Sequence, residues 1–217
     1  MMLTVKNIGR MFAAMAMVAF AVVAQANAQQ EVMSVVQDST KMLVTKLQSE
    51  KQTYYENPQK FYGVMEGALQ NLVDFERIAA RVMGRYRREA SDELKEKFVG
   101  VFKKSLFDAY GKALVESGEF KVNVLAATIN PRDEGRASVD LEVISASGNK
   151  YPVIYSMYKN RDNKWLLENV IVNGVNIGLA FKDRFEQQVN VHNGDITKVV
   201  DSWSSRIEEG ELTGEAK

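Results

Sequence analysis

The spacing of apolar residues changes period twice along this chain, and that change limits the fold more than any single motif. From Glu31 to Gly118 the spacing is helical: Val32, Val35, Val36, Met42, Leu43 and Leu47 recur at three- and four-residue steps. Asn57-Pro58 opens a second helix, with Asn57 as N-cap and Pro58 at the first helical position, and its apolar face carries Phe61, Tyr62, Met65, Leu69 and Val73. Asp74 caps a short third helix that runs to Met83 and ends at Gly84. The clearest helix follows Ser91. Asp92 and Glu93 sit in its first turn, where they favour the positive end of the dipole, and Gly118 fits its C-terminal stop. Its stripe is Leu94, Phe98, Val101, Phe102, Leu106, Ala109, Tyr110, Ala113 and Leu114.

The period then becomes two. Phe120, Val122, Val124 and Ala126 alternate with Lys121 and Asn123; Ala137, Val139, Leu141 and Val143 alternate with Arg136, Ser138, Asp140 and Glu142. Gly148-Asn149 marks a hairpin turn into a third strand over 151–159, and Arg161-Asp162-Asn163 turns the chain into a fourth over 165–172. Helical spacing returns over 177–191 and 196–207. Short turns between consecutive strands require an antiparallel meander. The predicted class is therefore α+β, with helices packed on one face of a curved four-stranded antiparallel sheet.

Composition narrows the chemistry. The 28 basic and 28 acidic side chains balance, which argues against bulk electrostatic binding of nucleic acid. With no cysteine, disulfides, thiolate catalysis and sulfur-ligated zinc are excluded, and one histidine excludes a multi-histidine metal centre. No cofactor is expected. At 217 residues and 46% hydrophobic content, one domain with a helical annex has ample core.

The N-terminus has the three-part layout of a secretory signal peptide. Lys6 and Arg10 precede an apolar run from Met11 to Val23, and Ala26-Asn27-Ala28 places small residues where cleavage after Ala28 needs them. Thirteen apolar residues fall short of the ~20 that cross a bilayer. The expected organisation is a leader over 1–28 and a single exported domain over 29–217.

Catalytic patterns are scarce. His192 lies in a polar helix end without a partner motif, and there is neither a nucleophile elbow nor a Gly-rich phosphate loop. Two features remain. Arg81, Arg85, Arg87 and Arg88 gather around Gly84 and Tyr86, where they read either as a solvated helix end or as a surface for phosphate head groups or an acidic protein. The third strand is apolar on both faces at Val153, Ile154, Tyr155, Met157 and Tyr158, and the helices are rich in Phe, Tyr and Met. Ordinary core packing accommodates this excess, as does a lipid-sized cavity between sheet and helices. Stripe and alternation phase select Phe75, Met83, Phe102, Leu106, Tyr110, Val139, Leu141, Val153, Tyr155, Val170, Val172 and Phe181 as its candidate lining.

Three stretches carry a family likeness: Asp74-Phe75-Glu76-Arg77-Ile78-Ala79, Val82-Met83-Gly84-Arg85-Tyr86 with the ladder Phe98, Phe102, Leu106, Tyr110, Leu114, and the block from Lys164-Trp165 to Asn173-Gly174-Val175-Asn176 followed by Phe181 and Phe185. Together they resemble the MlaC (toluene-tolerance) family over about 32–207. The block departs from the family pattern at Glu168-Asn169 and at Asn173 and Asn176, with polarity kept. The resemblance implies a nuclear transport factor 2-like unit with extra helices around an apolar pocket. It also implies a periplasmic phospholipid carrier working between an inner-membrane ABC transporter complex and an outer-membrane lipoprotein complex. In that setting Arg85, Arg87 and Arg88 are candidates for partner docking. The rival classes are a proton-transferring enzyme of the same fold, which needs a cavity-facing carboxylate beside a tyrosine, and an adaptor with a filled core.

Overall fold

Helix boundaries follow local chemistry in the computed structural model, which describes residues 5–116 and 119–204, with side chains from residue 26 onward. The element α1 runs Val5–Ser49, and α2 (Lys51–Glu56) continues it after a break at Glu50. In α3 (Pro58–Leu69) the Asn57 side chain accepts the Lys60 backbone N–H at 3.0 Å. In α4 (Phe75–Met83) Asp74 accepts that of Arg77 at 2.8 Å. Gly84 stops α4 at φ 55°, a conformation that favours glycine, and a single 3₁₀ turn (Gly84–Arg88) leads towards α5 (Asp92–Glu116). Ser91 Oγ accepts the Leu94 N–H at 3.2 Å. Gly118, read as the stop of this helix, lies outside the described residues.

The sheet is a meander of β1 (Lys121–Asn130), β2 (Asp133–Ile144), β3 (Lys150–Lys159), β4 (Trp165–Val172) and β5 (Val175–Asn176), each antiparallel to the next. The expectation of four strands is corrected by one. Asn173 (φ 50°) and Gly174 (φ 83°) form a two-residue turn that folds Val175–Asn176 back onto Ile171 and Val172. Helices α6 (Ile177–Val191) and α7 (Ile196–Asp201) follow; α7 is shorter than the 196–207 expected, ending at Asp201 with Ser202 as C-cap and a non-helical 203–204, and 205–207 lie outside the described residues.

Two bulges shape the sheet. In β1 the register passes from Val124↔Leu141 to Ala126↔Asp140, leaving Leu125 as an extra residue, 57% exposed. The bulge shifts the alternation, so Ala126, read on the core face, points outward, and Ala127 and Ile129 are buried in its place. In β4 the register passes from Asn169↔Ser156 to Leu167↔Met157, and Glu168 is the extra residue.

The apolar interior is divided into three clusters. One joins the core face of the sheet (Val139, Leu141, Val153, Met157, Trp165) to Val32 and Val36 of α1. A second joins α4, α5, α6 and α7 through Phe98, Phe102, Phe181, Phe185 and Trp203. The third packs Phe61 and Met65 of α3 against Leu47 and Val115. Helices thus cover one face of the sheet, as the sequence predicts.

Candidate functional site

A cavity of about 270 Å³ lies at the seam of these clusters, between α4, α5, α6 and β4. Its walls take Phe102, Leu106, Ile78, Ile177 and Phe181 from the helical cluster, Val73, Leu167 and Val170 from the sheet cluster, and Phe107 from the third. Of its fifteen lining residues, Tyr110 and Asn169 alone have polar side-chain atoms. The chemistry is that of a hydrocarbon site. Water has little to bond to here, and an acyl segment gains about 0.8 kcal/mol per methylene buried.

Six of the twelve candidate residues meet in this cavity: Phe75, Phe102, Leu106, Tyr110, Val170 and Phe181. The others do not line it. Val139, Leu141 and Val153 are buried in the cluster that Val32 and Val36 complete, and Tyr155 and Val172 pack half-buried against it. Met83 is buried among the helices. Alternation phase picks the face of a strand, but the helix lying over that face decides whether a side chain meets protein or open space. Tyr155 nevertheless keeps a distinct character. Burial pushes its phenol pKa up. The cavity also takes Leu69, Val73, Ile78, Phe107, Leu114, Leu167 and Ile177. Phe107 falls outside the stripe of α5, and an aromatic residue beside a complete stripe was the available signal; it stacks on Tyr62 with ring centroids 5.2 Å apart.

Next to the cavity, the β4 bulge turns Glu168 into a charged cluster. Its side chain is 3% exposed and meets Arg77 Nε at 2.6 Å, Arg136 Nη1 at 2.6 Å and Arg81 Nη2 at 3.1 Å. A buried carboxylate needs such partners, because removal from water would otherwise force its neutralisation. Asn169, the next residue, accepts the Gly178 backbone N–H through Oδ1 at 3.0 Å.

A carboxylate does stand beside a tyrosine, at Asp74 and Tyr158. They line a separate charged cleft together with Arg77 and Arg136, not the apolar cavity. Tyr158 donates to Asp74 Oδ2, while Asp74 Oδ1 holds the N-terminus of α4. Burial, and then the Asp74 carboxylate, push the Tyr158 phenol up to about 12, away from the range of a proton donor at neutral pH. The pair is a helix cap.

Arg85, Arg87 and Arg88 lie exposed on the 3₁₀ turn after α4. Arg85 is paired with Glu186 at 2.7 Å and lies over the Tyr86 ring, whereas Arg87 and Arg88 make no ion pair among the described residues. His192 ends α6, 3.3 Å from Ser202 Oγ.

Comparison with known proteins decides the family. The family model described as MlaC protein matches residues 37–205. The chain belongs to the MlaC family. The toluene tolerance protein ttg2D of Pseudomonas putida is 36% identical over 177 residues, 80% of each chain. A solved phospholipid-binding protein from Ralstonia solanacearum, in complex with a phospholipid, superposes with TM-score 0.70 at 19% identity, covering 78% of this chain and 94% of that one. At that identity the likeness shows a shared fold. Every residue lining the cavity of this MlaC chain falls inside the matched stretch.

Proposed function

We propose that this chain is a periplasmic phospholipid carrier that moves lipid between an inner-membrane ABC transporter complex and an outer-membrane lipoprotein complex. The observation that carries this reading is the apolar cavity at the seam of three clusters, with its charged neighbourhood at one side. A two-chain phospholipid exposes about thirty methylenes, so free transit through water is opposed by more than ~20 kcal/mol. Burial of the chains in a protein removes that cost, and no covalent step is needed. The P. putida relative and the lipid-bound Ralstonia structure support the same reading.

At about 270 Å³ the cavity lies just below the ~300–1,000 Å³ of small-ligand pockets and accommodates part of one acyl chain. A whole lipid requires the helical layer to move away from the sheet. The three clusters favour that motion, because the helical cluster can shift as a body while the sheet stays packed on α1. Phe75, Phe102, Leu106, Tyr110, Val170 and Phe181 contact lipid in the closed form, and Tyr155 and Val172, half-buried at the margin of the sheet cluster, are the sheet residues an opening would expose, while Val139 stays under α1.

Export follows from the leader over 1–28. Ala26 and Asn27 are exposed, whereas Val32 and Val36 are fully buried, so cleavage after Ala28 leaves these α1 anchors in the mature domain. No helix among the described residues is long and apolar enough to cross a membrane. Intact mass of the exported protein should place Gln29 first.

Organic-solvent extraction of the purified protein followed by lipid mass spectrometry tests carriage. Diacyl phospholipid in near-stoichiometric amount is expected. Protein that neither retains lipid nor takes it from vesicles overturns the reading.

A further inference from the structure

The apolar cavity shares a wall with a second crevice, which carries charged side chains on a largely apolar wall. This crevice, about 340 Å³, lies between α4, the start of α6 and the end of β4, and Ile78, Asn169 and Gly178 line both spaces. Its remaining walls include Arg81, Glu168 and Lys182. The crevice lining carries two cations, Arg81 and Lys182, against one carboxylate, Glu168. Arg77 and Arg136 each approach Glu168 to 2.6 Å, Arg136 also meeting Asp133 at 3.1 Å, so Arg81, at 3.1 Å and 46% exposed, is the third cation on that carboxylate. Lys182 makes no ion pair among the described residues; its stem crosses Gly84 so closely that a Cβ there would sit 3.3 Å from Lys182 Cε. Glu186, the next acidic group along that face of α6, is taken by Arg85.

The start of α6 is not what draws an anion. Its Gly178 and Leu179 N–H groups already donate to Asn169 and Asn176, each at 3.0 Å. What remains is a guanidinium and an ammonium lining an open crevice, one wall away from a hydrocarbon site. We propose that the crevice holds the phosphodiester of the carried lipid between Arg81 and Lys182. It thereby selects lipids whose head group is net anionic over zwitterionic ones, whose ammonium is repelled by the surplus positive charge. This inference rests on the carrier reading and adds a head-group site to it.

The full chain, purified and stripped of lipid, is to be loaded from vesicles of equal phosphatidylglycerol and phosphatidylethanolamine, then extracted and weighed by mass spectrometry. The wild-type chain should take phosphatidylglycerol in excess over the vesicle ratio. Lys182→Glu should lower that excess about threefold, the effect of a half-exposed ion pair. Arg81→Gln should act in the same direction. Lys121→Glu makes the same charge change at the opposite end of the sheet and should leave the ratio at the wild-type value. A wild-type ratio in Lys182→Glu, or an equal fall in Lys121→Glu, overturns the head-group site. Phosphorus NMR with inorganic phosphate alone separates the sources: saturable binding abolished by Lys182→Glu, without a change in lipid ratio, assigns the crevice to a free anion and also overturns it. Absence of any lipid from the wild-type chain is a different failure, that of the carrier reading.

Discussion

Asn169 and Asn176 are hydrogen-bonded to each other, Asn169 Nδ2 donating to Asn176 Oδ1 at 3.0 Å, across the turn that joins β4 to α6. Both depart from the family pattern in the sequence, and the structure makes them one unit. Asn169 Oδ1 holds the Gly178 N–H, and a Cβ on Gly178 would lie 2.3 Å from that same oxygen. Gly178→Ala should therefore destabilise the fold by about 1–3 kcal/mol, although alanine is the better helix former. Asn169→Ala combined with Gly178→Ala should cost less than the sum of the two, which a denaturant double-mutant cycle reads directly.

Glu168→Ala should cost about 2–4 kcal/mol. The buried carboxylate is lost and three guanidiniums face one another without it, but each of them is at least a third exposed and recovers part of the loss from water. The urea midpoint should fall with the slope unchanged.

Leu106→Trp should weaken lipid retention while leaving the fold intact. The larger side chain takes the space of about two methylenes, which corresponds to roughly a tenfold loss of affinity. Displacement of a fluorescent fatty acid measures it. Phe102→Ala should do the opposite to the space and, at 1% exposure, should destabilise the protein by about 3–5 kcal/mol.

Alkaline stability should depend on Tyr155 and Tyr158. Both phenols have pKa values raised in the fold, Tyr155 by burial and Tyr158, to about 12, by burial and then Asp74. A raised pKa means the fold favours the protonated form. Its contribution is therefore complete below the ordinary tyrosine value of 10.0 and lost as pH climbs towards 12. Replacing both by Phe should flatten the fall of the melting temperature above pH 10, followed by circular dichroism.

Charge reversal of Arg85, Arg87 and Arg88 together should slow lipid transfer to an acceptor membrane complex and leave lipid retention unaltered, because burial of the chains supplies the affinity. The wild-type rate should also drop as salt is raised, and equal rates at low salt would reduce the cluster to a solvated turn.

Elements with a local chemical signature were legible in the sequence. Asn57, Asp74 and Gly84 mark helix ends by caps and a positive φ that their own residue types dictate. The strands were legible up to their bulges. Leu125 and Glu168 sit at shifts of register that alternation cannot show, so the outward turn of Ala126 and the burial of Glu168 emerge only with the partner strands in place. The cavity was half legible for a related reason. Phe102, Leu106 and Tyr110 follow the stripe of α5, but whether Val139 or Val170 meets open space depends on where α1 lies, a contact between residues about a hundred positions apart.

The extra residue at Leu125 has a consequence for life at high concentration. Among the described strands β1 is an edge of the sheet; Gln29 Nε2 donates to its Ala127 carbonyl, but no strand pairs with its outer side, on which a second copy could lay down its own strand. The kink interrupts the even repeat such stacking needs, and Pro131, just past the end of the strand, has no amide hydrogen to offer. The irregularity that bends the sheet thus also makes this edge a poor template for a second copy.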